Sequence, residues 1–270
     1  ELEKQGFEVI RLMPDKQGRI TEQQVFDAVN SDTILVSMMY VNNEVGSIMP
    51  VKSIKKAVKR ANAPALIHID CVQAFGKLEV KPSKLGADLV TVTAHKIHGP
   101  KGVGALYLKK GTRILPRVFG GEQEKKLRPG TEAIPLIAGF GVAADLIPDL
   151  KKQSEKIKEI NTYAKEGLLS VPGVKINSGD DASDYIINLF VPTFMTSQTV
   201  VQHLSSKYGV YVSNGSACAK GKRSHVLTAM KLDDKIIEKS IRVSFSRTTT
   251  KGDIDEFVNA IKETVVQYPM

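Results

Sequence analysis

The residue of this sequence best placed for covalent chemistry is a lysine at the end of an apolar run. Lys96 lies in Thr91-Val92-Thr93-Ala94-His95-Lys96-Ile97-His98-Gly99-Pro100-Lys101-Gly102-Val103-Gly104. Residues 89–92 read as a strand, and a Gly/Pro loop then leads into a further strand at 104–108. Parallel sheets bind ligands at strand carboxyl ends, and a lysine desolvated there can form a Schiff base with an aldehyde cofactor. Thr93 and His95 are placed to hold the phosphate of such a cofactor. A phosphate loop across 99–104 is excluded, because no Gly-Lys-Ser/Thr follows and no helix begins there. Taken alone, a lysine beside His-Gly-Pro is more often a turn residue.

A second group sits upstream in Ala65-Leu66-Ile67-His68-Ile69-Asp70-Cys71-Val72-Gln73. Asp70 closes an apolar run, which leaves its carboxylate at the edge of the sheet; a lone Asp there more commonly caps the next helix. The spacing to Lys96 leaves room for a helical connection, so both can come from strand ends on one rim. A carboxylate for a pyridinium nitrogen and a lysine for the aldehyde are the two polar needs of pyridoxal phosphate. Tyr40-Val41-Asn42-Asn43-Glu44-Val45-Gly46 follows another strand and brings amides to the same edge.

The cysteines divide. Cys218 lies in Ser213-Asn214-Gly215-Ser216-Ala217-Cys218-Ala219-Lys220-Gly221-Lys222-Arg223, a small-residue loop with three nearby cations, which favours a reactive thiolate. Cys71 follows an apolar strand and reads as a buried small hydrophobe. Two cysteines are too few for a disulfide framework or a zinc site, so no metal is expected.

The elements that must position these residues alternate between strand and helix. Strands are expected at 7–12, 33–39, 65–69, 89–92 and 104–108, with a helix over 51–61 whose Val51, Ile54 and Val58 share a face. Strands apolar on both faces imply a mostly parallel sheet covered by helices, an α/β fold. A helical pattern from Ile134 to about Ser170 is interrupted by Pro148, the expected boundary between a large domain, 1–148, and a smaller α/β domain, 149–270, that carries the cysteine loop. In the second domain strands are expected at 186–191, 210–212 and 241–245, with helices over 199–207 and 254–265. Thr250 with Asp253 forms a capping-box pattern ahead of the last helix.

Composition sets the outer limits. The 270 residues are 42% hydrophobic and 25% charged, which describes a globular chain and excludes a disordered polyelectrolyte. No apolar run is long enough to cross a bilayer, no secretory segment opens the chain, and a reducing, cytoplasmic setting is expected. The net charge of +9 is spread along helical faces, and with 6% aromatics and no Trp direct nucleic-acid binding is not expected.

Together, Val41-Asn42-Asn43-Glu44-Val45-Gly46, His68-Ile69-Asp70-Cys71-Val72-Gln73, Thr93-Ala94-His95-Lys96, Arg128-Pro129-Gly130-Thr131-Glu132, Gly215-Ser216-Ala217-Cys218 and Ser240-Ile241-Arg242 resemble the cysteine desulfurases of the NifS/IscS type. These are pyridoxal phosphate enzymes of the class V aminotransferase fold (type I transferases). The resemblance implies that Lys96 is the Schiff-base lysine, that Asp70 pairs with the ring nitrogen, and that Asn43 and Gln73 contact the ring hydroxyl. Thr93 and His95 would bind the phosphate, and Thr131 would reach the phosphate of the neighbouring subunit's cofactor in a homodimer. Arg242 with Asn43 would bind the substrate carboxylate. L-cysteine would become L-alanine, with the sulfur left as a persulfide on Cys218 for an acceptor in Fe–S cluster assembly or tRNA thiolation.

The family's first phosphate loop and its ring-stacking histidine would precede Glu1. The chain is therefore expected to be N-terminally truncated and, on its own, to turn over poorly. The loop after Cys218 is shorter than in housekeeping relatives. The rival readings are a non-catalytic truncated subunit and another class V enzyme, a selenocysteine lyase or an aminotransferase; a transaminase has no need of Cys218.

Overall fold

A computed structural model describes residues 1–215 and 223–270. Cys218 therefore lies outside the described residues. Along the chain run α1 (Glu22–Ala28), β1 (Leu35–Met39), α2 (Val51–Arg60), β2 (Leu66–Asp70), α3 (Pro82–Leu85), β3 (Leu89–Thr93), β4 (Gly104–Leu108) and α4 (Ile134–Asp145). There follow α5 (Leu150–Leu169), β5 (Lys175–Ile176), β6 (Ile186–Phe190), α6 (Ser197–Tyr208), α7 (His225–Ala229), α8 (Asp234–Glu238), β7 (Ser240–Ser244) and α9 (Lys251–Gln267). The chain divides into two compact units. One, the parallel-sheet unit, holds Val29–Tyr40 and Val51–Leu150; the other, the antiparallel-sheet unit, holds Glu1–Ala28, Val41–Pro50 and Lys151–Met270.

In the parallel-sheet unit the strand order is β1-β2-β3-β4. The first three are parallel, with Met39 opposite Asp70 and Asp70 opposite Thr91; β4 runs antiparallel, placing Gly104 opposite Thr93. The α/β expectation therefore holds, and the sheet is mostly parallel. Contrary to the expectation from the sequence, its strands are not apolar on both faces: β2 buries Ile67 and Ile69 while His68 and Asp70 on the other face stay half-exposed. On α2, Val51, Ser53, Ile54 and Ala57 are buried, whereas Lys52, Lys55, Lys56 and Lys59 face water, so this run of charge is a solvated helix face.

In the antiparallel-sheet unit the order is β5-β6-β7, with β6 buried along its whole length. Ile157, Ile160, Ala164 and Leu168 of α5 and Ile254, Phe257, Ala260 and Ile261 of α9 are buried on regular helical spacing. The expected capping box is present: Thr250 Oγ1 accepts the Asp253 amide at 3.2 Å, and the Asp253 carboxylate accepts the Thr250 amide at 2.8 Å. Val45, Val226, Leu227, Met230 and Ile237 form a separate small core.

Two expected strands are absent. Residues 7–12 form no strand; their apolar side chains Phe7 and Ile10 are exposed, and apolar alternation without a pairing edge makes no ladder. Residues 210–212 also form no strand; pairing is confined to an isolated bridge between Ser213 and Arg242 one residue later. Helix α1 and the short β5 were not expected. Pro148 does fall in the break between α4 and α5.

Candidate active site

The carboxyl ends of β2 and β3 bring Asp70, Thr93, His95 and Lys96 to one edge of the parallel-sheet unit. Asp70 is the last residue of β2, where its carbonyl accepts the Tyr40 amide at 2.8 Å. Its Oδ1 accepts the Val72 amide at 2.9 Å, starting the tight turn in which Gln73 is buried and Ala74 and Phe75 donate back to the Cys71 carbonyl. Asp70 thus caps the following turn and still presents a carboxylate at the sheet edge. The expected cap is therefore present, on a turn rather than on a helix.

Lys96 sits half-buried in a 3-10 turn, Ala94–Ile97, directly after Thr93. The buried side chains of Ala94 and Ile97 anchor that turn, and His98 closes it in the left-handed region, at φ 67°. Gly76, at φ +75°, passes so close that a Cβ there would lie 2.7 Å from Ile97 Cγ2. The turn after Asp70 and the turn bearing Lys96 are therefore packed directly together, and only glycine fits the contact.

Thr93 Oγ1 is 2.9 Å from His95 Nδ1 and 3.2 Å from the Val103 carbonyl. Partial desolvation, followed by the positive charges of Lys96 and Lys101, lowers the His95 pKa. Of its two tautomers, the one whose Nδ1 accepts from Thr93 carries its proton on Nε2 and keeps a donor for an anion. Thr131 is exposed on the chain leading into α4.

One feature of this face escaped the sequence reading. His68 bridges three strands: its Nδ1 is 2.8 Å from Ser37 Oγ and its Nε2 is 2.8 Å from Thr91 Oγ1. The signal was available, because His68 stands two residues before Asp70 and so points to the same face.

Cys71, as expected, is fully buried, and its thiol is pushed up to about 12 by burial and by the charge of Asp70. It is inert as a nucleophile near neutrality.

The other expected residues belong to the antiparallel-sheet unit. Asn42 Oδ1 accepts the amides of Glu44 and Val45 at 2.9 and 3.0 Å, folding Asn43 into a tight turn. Arg242, on β7, donates from Nη1 to the Asn43 carbonyl at 2.8 Å. Its Nε is buried without a partner among the described residues, so the guanidinium keeps donor capacity for a carboxylate. Burial lowers its pKa, and the charge of Glu44 opposes that.

The donor set of the parallel-sheet unit fits pyridoxal phosphate. A primary amine, Lys96, suits the aldehyde. Asp70 makes a single described side-chain hydrogen bond, through Oδ1, which leaves acceptor capacity for a protonated ring nitrogen. Thr93 and His95 supply a hydroxyl and an imidazole for phosphate, and Gln73 supplies an amide next to Asp70.

Comparison with known proteins agrees with this arrangement. The aminotransferase class-V family model matches residues 1–257, and the chain belongs to that family. The family is one of pyridoxal phosphate enzymes. Its similar relatives are cysteine desulfurases. The chain is 37% identical to cysteine desulfurase IscS of Methanosarcina thermophila over 98% of its own length and 65% of the relative's. It is also 37% identical to cysteine desulfurase 2 of Trichormus variabilis, over 98% of this chain and 67% of that one. Among solved structures, a NifS-like protein superposes with a TM-score of 0.89 at 34% identity, covering 98% of this chain and 70% of that one. A structure of SspA in complex with cysteine matches with a TM-score of 0.75 at 32% identity, over 92% and 69% of the two chains. The chain spans about two thirds of the length of the curated relatives it matches.

Proposed function

We propose that the protein is a cysteine desulfurase that converts L-cysteine to L-alanine and holds the sulfur on Cys218. The observation that carries this reading is the meeting of Asp70, Thr93, His95 and Lys96 at the carboxyl ends of β2 and β3. The cysteine desulfurases among its relatives, and separately a similar solved structure in complex with cysteine, support the choice of substrate.

Bound pyridoxal phosphate would supply an electron sink for the carbon bearing the substrate's amine. Lys96 would hold the aldehyde of that group, and its amine would move the proton at the substrate Cα. Asp70 holds a negative charge against the ring nitrogen and keeps it protonated. Thr93 and His95 bind the phosphate, and Gln73 and Asn43 the ring hydroxyl. Arg242, held at the Asn43 carbonyl, grips the substrate carboxylate. The Cys218 thiolate attacks the sulfur of the substrate; a sulfur–sulfur bond forms as the carbon–sulfur bond breaks, and the electron pair left on carbon takes a proton to give alanine. The surrounding cations Lys220, Lys222 and Arg223 favour the thiolate.

In the same reading the enzyme is a cytoplasmic homodimer. Thr131 binds the cofactor phosphate of the neighbouring subunit, and the persulfide passes to a protein of Fe–S cluster assembly or tRNA thiolation. No helix among the described residues is long and apolar enough to cross a membrane.

Incubating the full-length protein with pyridoxal phosphate and L-cysteine tests the proposal. Alanine should appear only with both present, and the bound cofactor's colour should bleach with borohydride. Alanine release that persists in Lys96→Ala overturns the assignment.

A further inference from the structure

We propose that Glu44 positions the chain segment that carries Cys218, by holding the two stems from which that segment leaves the fold. The inference rests on the function proposed above and concerns how the sulfur-accepting thiol is presented. Glu44 is completely buried, an unusual place for a carboxylate with so few partners. Its Oε2 accepts the Ser224 hydroxyl at 2.5 Å, and its Oε1 has no partner among the described residues. The charge of Arg242 offsets part of the cost of burying this carboxylate, and Oε1 still lacks a hydrogen bond among the described residues, so the side chain does more than fill space.

One stem bonds this side chain, and the other passes close beside it. Ser224 follows residues 216–222 and N-caps α7, its Oγ accepting the Leu227 amide at 3.1 Å. Gly215 precedes them at φ +108°, and a Cβ there would lie 3.2 Å from Glu44 Oε2. The Gly215 carbonyl in turn accepts the Ser213 hydroxyl at 3.0 Å, and Ser213 pairs with Arg242 across an isolated bridge. Glu44 itself is fixed from behind: its amide donates to Asn42 Oδ1, and the neighbouring Val45 packs in one core with Val226 and Leu227 of α7.

The turn Asn42–Val45 thus touches three things the chemistry needs in register. The Asn43 carbonyl accepts from Arg242, Glu44 accepts from Ser224 and lies beside Gly215, and Val45 packs with the helix after the second stem. A carboxylate at position 44 keeps Ser224 and Gly215 together without a bulky contact. Such a residue acts through the stems rather than on the substrate, so it is a positioning residue.

Two measurements test it, one of them independent of turnover. The first is the rate of tryptic cleavage after Lys220, Lys222 and Arg223; the second is the rate at which Cys218 becomes a persulfide when cysteine is added. Glu44→Ala, and independently Ser224→Ala, should speed cleavage at these sites severalfold, and by more than the fall in urea-unfolding midpoint accounts for, since Ser224→Ala also removes the cap of α7. Persulfide formation should fall about 10- to 100-fold, as expected for a misplacement on the order of 1 Å, with cofactor uptake unchanged. Ser224→Thr, which retains the hydroxyl, should restore both rates. Wild-type cleavage and transfer in Ser224→Ala, or an equal loss of cofactor uptake and transfer in it, overturns the proposal. Absence of persulfide in the wild-type protein overturns the desulfurase reading instead, and the cleavage rates still decide the role of Glu44.

Discussion

His68 Nε2 and Thr91 Oγ1 lie 2.8 Å apart across the neighbouring parallel strands β2 and β3, and Ser37 holds the other ring nitrogen from β1. A single neutral imidazole can serve as donor to one hydroxyl and acceptor from the other. Protonation removes the acceptor. Burial lowers the His68 pKa below 6.5, against the opposing charge of Asp70. Below pH 6.5 the unfolded chain binds a proton that the folded chain refuses, so this contribution to stability is complete above that pH and is lost as the pH falls. His95 and His203 shift in the same direction, so they add to the slope. Urea-unfolding midpoints should therefore drop between pH 7 and pH 5.5, and His68→Gln should flatten that drop without abolishing it. An unchanged slope in His68→Gln contradicts the buried neutral imidazole.

Asp70→Asn should separate binding from chemistry. The amide still accepts the Val72 amide and keeps the turn, while the negative charge facing the ring nitrogen is lost. Turnover should fall roughly 10²–10⁴-fold, and the dissociation constant for pyridoxal phosphate should change far less. Equal losses in both would place Asp70 among binding residues only.

The two cysteines should differ sharply toward an alkylating reagent. With its thiol pushed up to about 12 and no exposed surface, Cys71 should resist iodoacetamide at pH 8 until the protein unfolds. Cys218 should react under native conditions. Peptide mapping after brief labelling reads both at once, and labelling of Cys71 in the folded protein would be the contrary result.

Gly76→Ala should disturb the lysine turn from a distance. Alanine at φ +75° is strained, and its Cβ would press on Ile97 at 2.7 Å, so a loss of about 1–3 kcal/mol is expected. Gly209, at φ +66°, has nothing within 4 Å, so Gly209→Ala carries the backbone strain alone. Chemical denaturation should rank Gly76→Ala below Gly209→Ala, and only the former should weaken pyridoxal phosphate binding.

The sequence was most legible where chemistry and periodicity coincide. Asp70 and Lys96 follow apolar runs that are strands, and Pro148 marks a break between helices because its ring cannot continue one. The capping box at Thr250 was readable because both of its partners are local in sequence. Residues 7–12 misled because apolar alternation says nothing about whether a neighbouring edge is present to pair with. The face His68 occupies was readable from its place two residues before Asp70, but its partners Ser37 and Thr91, like Ser224 for Glu44, meet it only through the fold.

The central claim is that Cys218 takes sulfur from free cysteine. The most direct measurement is the mass of the peptide containing Cys218, taken from the full-length, cofactor-loaded protein after brief exposure to L-cysteine and trapping with an alkylating reagent. The account predicts a gain of one sulfur atom on Cys218, matched by one alanine released, with none on Cys71 and none in Cys218→Ser. Alanine formed while the Cys218 peptide keeps its original mass, or sulfur found on Cys71, would contradict it.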